Sequence, residues 1–574
     1  MTTRVWAPAA SRVELVLGEQ RRPMVAEDGG WWSGEPVPYG VDYAFSLDGG
    51  PPRPDPRGER LPHGVHGPSR RVDHARFEWH DASFRPPPLR SAVVYELHIG
   101  TFSQEGTFDA AVEHLDSLVA LGITHVEVMP VHAFPGRWGW GYDVAGFFAV
   151  HEPYGGPDGL KRFVDACHRR GLGVVLDVVY NHLGPEGCYL SAFGPYVTDR
   201  FRTPWGGAVN LGDAGADEVR RFIIDNALLW LRDYHVDGLR LDAVHAFVDL
   251  TATHLLEELA LEVETLAATL DRDLVLIAES DLNDPRILRS RERGGYGLEA
   301  QWSDDFHHAL HTTLTGERDG YYEDFVGLAD VARALERGWV YEGRRSPHRG
   351  RRHGRSTDGL ALGRFLGYAQ NHDQVGNRAR GERLAQLVDP RALKVAAALV
   401  LCGPFMPLLF QGEEWGASTP FRFFADFGDE ALAEAVRAGR RREFAAFGWR
   451  PEEVPDPIDP ATFEASRLDR SEIGREPHAD LLDWHRRLIA LRSTTAGSGS
   501  EVRPRVRVDL DEGWLVADLD HRTLALNVSQ TRRSVTLDDE LQVAAASDAE
   551  TRLEGDHLRL APMSAAVLLR PTSA

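Results

Sequence analysis

Cysteine is scarce in this sequence. Its 574 residues contain three, Cys167, Cys188 and Cys402, which are far apart and odd in number. Their spacing therefore predicts neither a disulfide framework nor a cysteine-ligated metal site, and we expect ordinary reduced thiols. Lysine is scarcer still: Lys161 and Lys394 are the only two, so almost every positive charge is an arginine.

Long apolar runs are also absent. No stretch reaches the ~18 consecutive apolar residues that a membrane span needs. The most apolar segment, Val395–Cys402, is soon followed by Pro404 and Pro407. Met1–Pro8 has no apolar run behind a basic start, so no secretory signal is predicted. We therefore expect a cytoplasmic protein with no membrane partner.

Positive charge is in deficit. Lys and Arg number 64 against 87 Asp and Glu, a formal charge of −23. Because phosphate binding needs clustered Lys and Arg, this balance argues against a nucleic-acid partner and favours a neutral or cationic substrate. With 43% apolar and 26% charged residues, the chain can build a large core. Its length predicts several domains.

The two ends of the chain differ from its middle in the pattern of apolar and polar residues. From Arg4 to Phe45, short apolar and polar runs alternate, which predicts a small β-sandwich. A Pro-, Gly- and Arg-rich linker follows, and residues 1–88 are assigned to this front module. Short alternating strands return from Val502 to Leu569, which predicts a second sandwich over residues 496–574.

Residues 89–495 read as repeated units in which a short apolar strand is followed by a helical stretch. The eight predicted strands are Val93–Ile99, His125–Pro130, Gly173–Val179, Gly238–Asp242, Leu274–Glu279, Leu298–Trp302, Leu366–Gln370 and Met406–Phe410. Parallel strands need helical crossovers, so this pattern predicts an α/β fold, a (β/α)₈ TIM barrel with N-terminal and C-terminal β-sandwich domains. An open doubly wound sheet is the alternative, but no Gly-x-Gly-x-x-Gly turn follows any of these strands.

Four predicted strands end in ionisable residues. These ends are Asp177–His182, Arg240–Asp242, Glu279–Asp281 and Asn371–Asp373. Barrel enzymes place their chemistry at the carboxyl ends of strands. Because side chains alternate along a strand, Arg240 and Asp242 point the same way, and the arginine favours an ionised Asp242.

Three carboxylates at the ends of strands four, five and seven predict glycoside hydrolysis. That reaction needs one carboxylate at the anomeric carbon and one carboxylic acid to protonate the leaving oxygen. Each carboxylate alone could equally be a helix cap or an ion-pair partner. A metal-centred hydrolase is the other interpretation, but His pairs with ligand spacing are not placed at these strand ends.

The four strand-end segments resemble the ordered motifs of the α-amylase superfamily, glycoside hydrolase family 13. The resemblance implies that Asp242 is the nucleophile, Glu279 the general acid/base and Asp373 the carboxylate that orients sugar hydroxyls. The substrate contacts that it implies are Arg240, His182, His372, Tyr142 as an aromatic platform, and its neighbour Asp143.

Several phrases are most similar to the malto-oligosyltrehalose trehalohydrolase family. They are Gly64–Ser69, Tyr95–Phe102, Ala278–Asp284 and Gln370–Leu384. The front segment Val5–Leu15 resembles more broadly the β-sandwich that precedes the barrel in branching, debranching and trehalose-forming members. The resemblance implies cleavage of the α-1,4 bond next to the terminal trehalose of maltooligosyl trehalose, with related α-1,4-glucans as binding partners. This sequence departs from the resemblance in one respect: its front module begins inside what is predicted to be its first strand. A glycogen branching enzyme is the nearest alternative, and a non-catalytic glucan-binding protein is a more distant one.

The leaving-group side and the metal requirement are less readable from the sequence. Trehalose bends at its α,α-1,1 link, so this side needs a different shape from that of a linear glucan. Candidates for its wall are the short insertion 183–211, His245 among the substrate contacts, and Trp415–Phe427 with Phe421, Phe423 and Phe424.

The insertion 183–211 offers no dense set of oxygen ligands, so we predict no obligatory metal and no cofactor. The oligomeric state is left open.

Overall fold

A computed structural model describes residues 2–445, 450, 453–495 and 503–570. At its centre, eight parallel strands close into a barrel in which each strand pairs with its neighbours along the chain, the eighth with the first. They are Val94–Leu97, His125–Val128, Gly173–Val178, Gly238–Leu241, Val275–Ala278, Ala300–Trp302, Phe365–Gly367 and Met406–Phe410. The predicted barrel is confirmed, with strands shorter than expected because their ends bend into loops.

Helices surround the barrel. The longer ones are Leu115–Leu121, Gly156–His168, Ala216–Asp233, Leu255–Leu270, Asp304–Thr315, Leu328–Arg337, Pro390–Cys402, Glu430–Ala445 and His478–Thr495. Four-residue or five-residue helices lie at Ile99–Phe102, Phe108–Val112, Leu190–Phe193, His372–Gly376, Leu384–Leu387 and Pro460–Glu464. The fifth crossover departs from the expected pattern: residues 279–299, all described, contain one 3₁₀ turn, Arg291–Arg293, and no α-helix.

Three hairpins extend the barrel loops. They pair His132–Ala133 with Gly146–Val150, Val197–Thr203 with Gly206–Val209, and Glu342–Ser346 with Arg351–Gly354. The second lies within the predicted insertion 183–211, which is therefore more regular than a simple loop. The third precedes strand seven.

The front module consists of two antiparallel sheets. One contains Thr3–Trp6, Trp31–Gly34 and Val25–Ala26, and the other contains Gln20–Pro23, Val13–Leu17, Asp42–Leu47 and Ser69–Arg70. The buried Trp6 packs edge-on against Tyr196, and Phe45 against Phe193, so apolar residues of this module join the core around the barrel.

The C-terminal part also has two antiparallel sheets. A five-stranded sheet contains Arg505–Asp509, Trp514–Leu519, Arg522–Asn527, Ser564–Leu569 and Gln542–Ala546, and a three-stranded one contains Arg533–Thr536, His557–Leu560 and Arg552–Glu554. The flanking sheets confirm the predicted fold class. The domain limits themselves stay predictions, and residue 496, the predicted start of the last domain, lies outside the described residues. No described helix has both the length and the apolarity needed to span a bilayer.

Candidate active site

Arg240 lies at the centre of the carboxyl ends of the strands. Its Nη1 donates to both carboxylate oxygens of Asp177 at 2.9 Å and to Oδ1 of Asp242 at 2.8 Å. Its Nη2 lies 3.1 Å from Oε2 of Glu279. The guanidinium carbon lies 4.4 Å from a ring centre of Trp302, whose face supports the cation. One buried arginine therefore contacts carboxylates from strands three, four and five.

The turn after strand four fixes Glu279 beside Asp242. Ala243 has a φ of 39°, in the left-handed region, which costs a non-glycine residue about 1–3 kcal/mol. In this conformation its N–H donates to Oε2 of Glu279 at 2.7 Å. The N–H of Val244 donates to the carbonyl of Glu279 at 3.0 Å. The strained turn thus holds both the side chain and the backbone of Glu279.

A hydrogen-bonded chain continues from Asp177 to the first strand. The Tyr142 hydroxyl lies 2.6 Å from Oδ2 of Asp177 and 2.8 Å from Nε2 of His372. Glu96 contacts His372 twice: Oε1 lies 2.5 Å from Nδ1, and Oε2 accepts from the backbone N–H at 3.0 Å. We call Glu96, His372, Tyr142, Asp177 and Arg240 the inner network. Although burial lowers the pKa of His372, the Glu96 charge raises it above its ordinary value.

Gly141 allows the loop to adopt the backbone conformation that brings Tyr142 to this network. Gly141 has a φ of 100°, and a β-carbon there would lie 2.2 Å from the carbonyl oxygen of Pro130, just past strand two. Only glycine permits this close approach. Asp143 lies next along the same loop, and burial raises its pKa to about 6.

His182 lies at the edge of the inner network. Its Nε2 is 3.0 Å from the carbonyl of Tyr142, and burial lowers its pKa to about 4, so it is neutral. Its ring stacks on Trp205, with centres 4.9 Å apart and planes 8° from parallel. Trp205 lies between the two strands of the hairpin in the insertion 183–211, and it is 46% exposed. The insertion therefore brings an aromatic face to the site.

Asp373 is held by the start of a short helix. Oδ1 of Asn371, the helix cap, accepts from the Asp373 backbone N–H at 2.9 Å. Asn377 donates to Oδ1 of Asp373 at 2.7 Å. Arg440 in turn donates to Oδ1 of Asn377 at 3.0 Å and to the carbonyl of Gly376 at 3.0 Å. The helix Glu430–Ala445 thus anchors the segment that carries Asp373.

Asp242 and Glu279 titrate together. Burial and the adjacent Glu279 carboxylate raise the pKa of Asp242 well above its ordinary value. Burial also raises the pKa of Glu279, but the Arg240 charge and the Ala243 N–H lower it further, to a net value below the ordinary one. Two carboxylates this close share macroscopic pKa values. Arg240 thus joins two carboxyl groups whose pKa values are shifted in opposite directions.

A second group of residues adjoins the segment after Glu279, and we call it the outer wall: His245, Asp281, Arg349 and the hairpin Glu342–Gly354. Arg349 donates to Oδ2 of Asp281 at 2.9 Å. Nδ1 of His245 lies 3.9 Å from Oδ1 of Asp281. The hairpin is therefore ion-paired with Asp281, two positions after Glu279. His245 is also close to Asp281, so it belongs to the outer wall and not to the inner network.

The phenylalanines predicted for the leaving-group wall lie elsewhere. Phe421 and Phe424 have no exposed surface and pack with Trp140, Phe410 and Phe463 in a separate apolar cluster. They cannot present a face to a sugar. Phe423 is partly exposed, under the guanidinium of Arg440.

The sequence analysis assigned no individual role to Glu96, Asp177, Trp302 or Trp205, although Asp177 opens one of its four strand-end segments and Trp205 lies in the insertion 183–211. Glu96 lies inside a predicted strand and could have been found as a buried carboxylate facing the barrel interior. Trp302 ends a predicted strand. Trp205 is placed by a hairpin turn, and no period in the sequence marks it.

Asn181 allows a test for the calcium that many α-amylases hold. Its side-chain amide is buried, and neither its oxygen nor its nitrogen has a partner among the described residues. However, in the part of the chain that the structure describes, no three His, Cys, Asp or Glu side chains are grouped to hold a metal. The site offers one amide oxygen without the carboxylates that calcium needs. No step of the chemistry below uses a metal.

Comparisons with known proteins show which family the chain resembles. The profile of the alpha amylase catalytic domain matches residues 77–193. The malto-oligosyltrehalose trehalohydrolase of Arthrobacter ramosus is 54% identical over 515 residues, 88% of this chain and 89% of that protein. That of Mycobacterium tuberculosis is 47% identical over 578 residues, 98% of each chain.

Two further similarities bear on fold and on alternatives. A Salmonella typhimurium crystal structure assigned to the alpha amylases superposes with a TM-score of 0.91 at 38% identity, covering 99% of this chain and 97% of that one. A 1,4-alpha-glucan branching enzyme of Vibrio parahaemolyticus is 37% identical over 289 residues, which cover 44% of this chain and 37% of that protein. The similarity to the branching enzyme is thus partial.

Proposed function

Because the chain belongs to the malto-oligosyltrehalose trehalohydrolase family, we propose that it hydrolyses the α-1,4 bond next to the terminal trehalose of maltooligosyl trehalose. The reaction releases free trehalose. The observation that carries the proposal is that Asp242 and Glu279, at the carboxyl ends of neighbouring strands, contact one guanidinium. A retaining glycosidase needs two carboxyl groups close together, one as the nucleophile and one as the acid.

The proposed reaction has two steps. In the first, a carboxylate oxygen of Asp242 bonds to the anomeric carbon while the bond to the leaving oxygen breaks, and Glu279 donates its proton to that oxygen. In the second, water attacks the glycosyl–Asp242 ester while Glu279 takes the water's proton, so the α configuration is retained. Retention corresponds to a separation of ~5–5.5 Å between the two carboxyl groups in the substrate complex.

Charge development favours these roles over the reverse assignment. In the empty site, burial and the Glu279 charge raise the pKa of Asp242. When the anomeric carbon beside Asp242 becomes positive, that charge stabilises the ionised form of Asp242. The proton then belongs on Glu279, next to the leaving oxygen.

The remaining predicted contacts would orient the sugar. Tyr142 offers a ring that is already held by Asp177 and His372. Asp373 would accept hydrogen bonds from sugar hydroxyls, and His182, His372 and Asp143 would border the same subsite. His245 would serve the leaving-group side. The substrates are neutral α-glucans that end in trehalose, which suits an acidic cleft without a phosphate site.

Product analysis tests the proposal. The purified protein is incubated separately with maltotriosyl trehalose and with amylose, with Asp242→Asn as the inactive control. We expect free trehalose from the first substrate, and NMR should show the α-anomer of maltotriose first. New α-1,6 branches in amylose would instead favour a branching enzyme, and no product from either substrate would favour a glucan-binding protein.

We also propose the division into residues 1–88, 89–495 and 496–574, and a cytoplasmic location. The division is supported by the separate antiparallel sheets on either side of the barrel. The location is supported by Cys167, Cys188 and Cys402, which are all unpaired thiols.

A further inference from the structure

Glu127 is a carboxyl group inside the barrel that the proposed reaction does not use. It lies in strand two between Val126 and Val128, whose side chains pack in the core around the barrel. Because side chains alternate along a strand, Glu127 faces the barrel interior. It is only 1% exposed, so solvent does not solvate its carboxyl group.

Strand pairing fixes the neighbours of Glu127. It is the register partner of Glu96 in strand one and of Val175 in strand three. Neighbouring strands lie about 4.8 Å apart, and paired residues of parallel strands face the same side. Val175 belongs to the apolar cluster inside the barrel, together with Val94 and Ile277. Glu127 is therefore set in this apolar layer, directly beside Glu96 of the inner network.

The surroundings of Glu127 favour its neutral form. Neither of its oxygens has a hydrogen-bond partner of normal geometry among the described residues. The Trp302 N–H, which lowers the pKa of Glu127 in part, is also without such a partner. An ionised carboxylate is too costly to bury without donors. Burial and the adjacent Glu96 charge accordingly raise the pKa of Glu127 well above its ordinary value.

A protonated carboxyl group is a hydrogen-bond donor, and Glu96 offers it an acceptor. Each oxygen of Glu96 has one contact with His372: Oε1 lies 2.5 Å from Nδ1, and Oε2 accepts from the backbone N–H at 3.0 Å. A carboxylate offers about four lone pairs. Either oxygen of Glu96 can therefore accept a second hydrogen bond, from Glu127.

Asp177 is a less suitable acceptor for this proton. It lies in strand three, two residues out of register with Glu127. Its oxygens already accept from Arg240 and from the Tyr142 hydroxyl. Position and free lone pairs thus both favour Glu96.

We propose that Glu127 is a positioning residue, a neutral carboxylic acid that donates a hydrogen bond to Glu96 and thereby keeps Glu96 directed at His372. His372 in turn contacts the Tyr142 hydroxyl, 2.8 Å from its Nε2, so the effect reaches the residues that would orient the reacting sugar. The proposal rests on the function proposed above and extends its catalytic network into the barrel interior.

Two substitutions of similar size separate the hydrogen bond from the packing. Glu127→Gln keeps a neutral donor, whereas Glu127→Met keeps only the volume. Rates are measured on maltotriosyl trehalose and on α-maltosyl fluoride, which has no leaving sugar. On both, Glu127→Met should lower kcat about tenfold and change KM less than about twofold, as for a lost hydrogen bond to a charged group. Glu127→Gln should stay within about threefold of wild type, because its amide can donate in place of the carboxyl O–H.

Stability distinguishes this role from a structural one. Glu127→Met should leave the urea midpoint at or above that of wild type, because an apolar group replaces a buried polar one. The matched control is Val175→Ala in the same layer, which should lower the midpoint through the cavity it leaves but keep kcat within about twofold. The proposal is overturned if Glu127→Met keeps its kcat, or if Glu127→Gln loses as much kcat as Glu127→Met.

A double-mutant cycle tests the path through Glu96. Glu96→Gln alone should lower kcat, and adding Glu127→Met should lower it by less than about twofold more, because the two residues act in series. Losses that multiply would overturn this path. Should Glu127→Met unfold at the assay temperature, Glu127→Leu must show the same loss of kcat and the same coupling.

Failure of the proposed function gives a different result. A wild-type protein that hydrolyses α-maltosyl fluoride but releases no trehalose overturns that function alone, and the Glu127 variants are then compared on the fluoride. A wild-type protein that cleaves neither substrate overturns both proposals.

Discussion

The inner network and the outer wall lie on either side of Glu279 and are built differently. The inner network consists of buried residues at or near the ends of strands, and direct hydrogen bonds of 2.5–3.0 Å connect them. The outer wall comes from loops and a hairpin, and its contacts run through Asp281, which is partly exposed. We therefore expect the inner network to hold the catalytic groups rigidly, and the outer wall to determine which leaving group is accepted.

This difference predicts two kinds of mutational effect. Changes in the inner network should lower turnover on every substrate, because they disturb groups that act on the anomeric carbon. Changes in the outer wall should alter the ratio between substrates and leave activated substrates less affected. The predictions below test that contrast, beginning with the largest effect.

Removing either member of the carboxylate pair should have the largest effect. Asp242→Asn loses the nucleophile and should lower kcat by about 10⁴-fold or more. Glu279→Gln loses the general acid, which contributes about 10²–10⁴-fold. Steady-state rates on maltotriosyl trehalose check both values, and circular dichroism checks the fold. Near-normal turnover by either variant would contradict the assignment.

Arg240→Lys should have the next largest effect. Lysine keeps the charge but cannot reach Asp177, Asp242 and Glu279 together, because it lacks the planar fork. We expect kcat to fall about 10²–10³-fold on both maltotriosyl trehalose and α-maltosyl fluoride. The matched control is Arg220→Lys, at a buried arginine that contacts Asp249 and Glu258 on the outside of the barrel. If the control loses as much turnover, the inner network has no special role.

The barrel could be predicted from the sequence because its strands are short apolar runs at regular intervals. Six of the seven crossovers between these strands also carry the expected helices. The fifth does not, since residues 279–299 run through turns instead. Residues 279–299 lack the apolar periodicity of a helix, but the strand–helix repeat of the other units favoured a helix there.

The catalytic core could be predicted for a similar reason. Asp242, Glu279 and Asp373 follow strands, so their convergence is a consequence of the barrel itself. His245 and Asp281 of the outer wall were also within reach of the sequence, but the hairpin was not, because Arg349 contacts Asp281 across 68 residues of sequence. Nor did composition distinguish Phe421, which is buried, from Trp205, which is exposed. Loop packing decides both, and it leaves no periodic signal.

Glu96→Gln should give a smaller, pH-dependent effect. Glu96 holds the pKa of His372 above its ordinary value, so the ion pair stabilises the folded state below the unfolded histidine pKa of ~6.5, and this contribution is lost as pH rises through the raised pKa. The variant should lose about 1.5–3 kcal/mol of unfolding free energy at pH 6 and less at pH 9. Urea unfolding at both pH values measures this, and a loss that grows with pH would contradict it.

Arg349→Ala should have a selective effect. The substitution removes the ion pair between the hairpin and Asp281 and leaves the inner network intact. We expect kcat/KM on maltotriosyl trehalose to fall about 3–10-fold, the value of one charge-assisted contact that is partly exposed, with a smaller change on α-maltosyl fluoride. Arg345→Ala, at an exposed arginine of the same hairpin, is the control and should resemble wild type. Equal losses on both substrates would place Arg349 with the inner network.

Metal removal should have the smallest effect. Asn181 has an unpartnered amide, but the described residues gather no three acidic or histidine ligands anywhere, and hard cations need several oxygen ligands together. Arg240 already balances the carboxylates that a cation would otherwise neutralise. Dialysis against a chelator should therefore change turnover by less than about twofold, since no binding free energy of a metal is lost from the folded state. A large loss that calcium restores would contradict this expectation and show that a bound cation supports turnover in addition to Arg240.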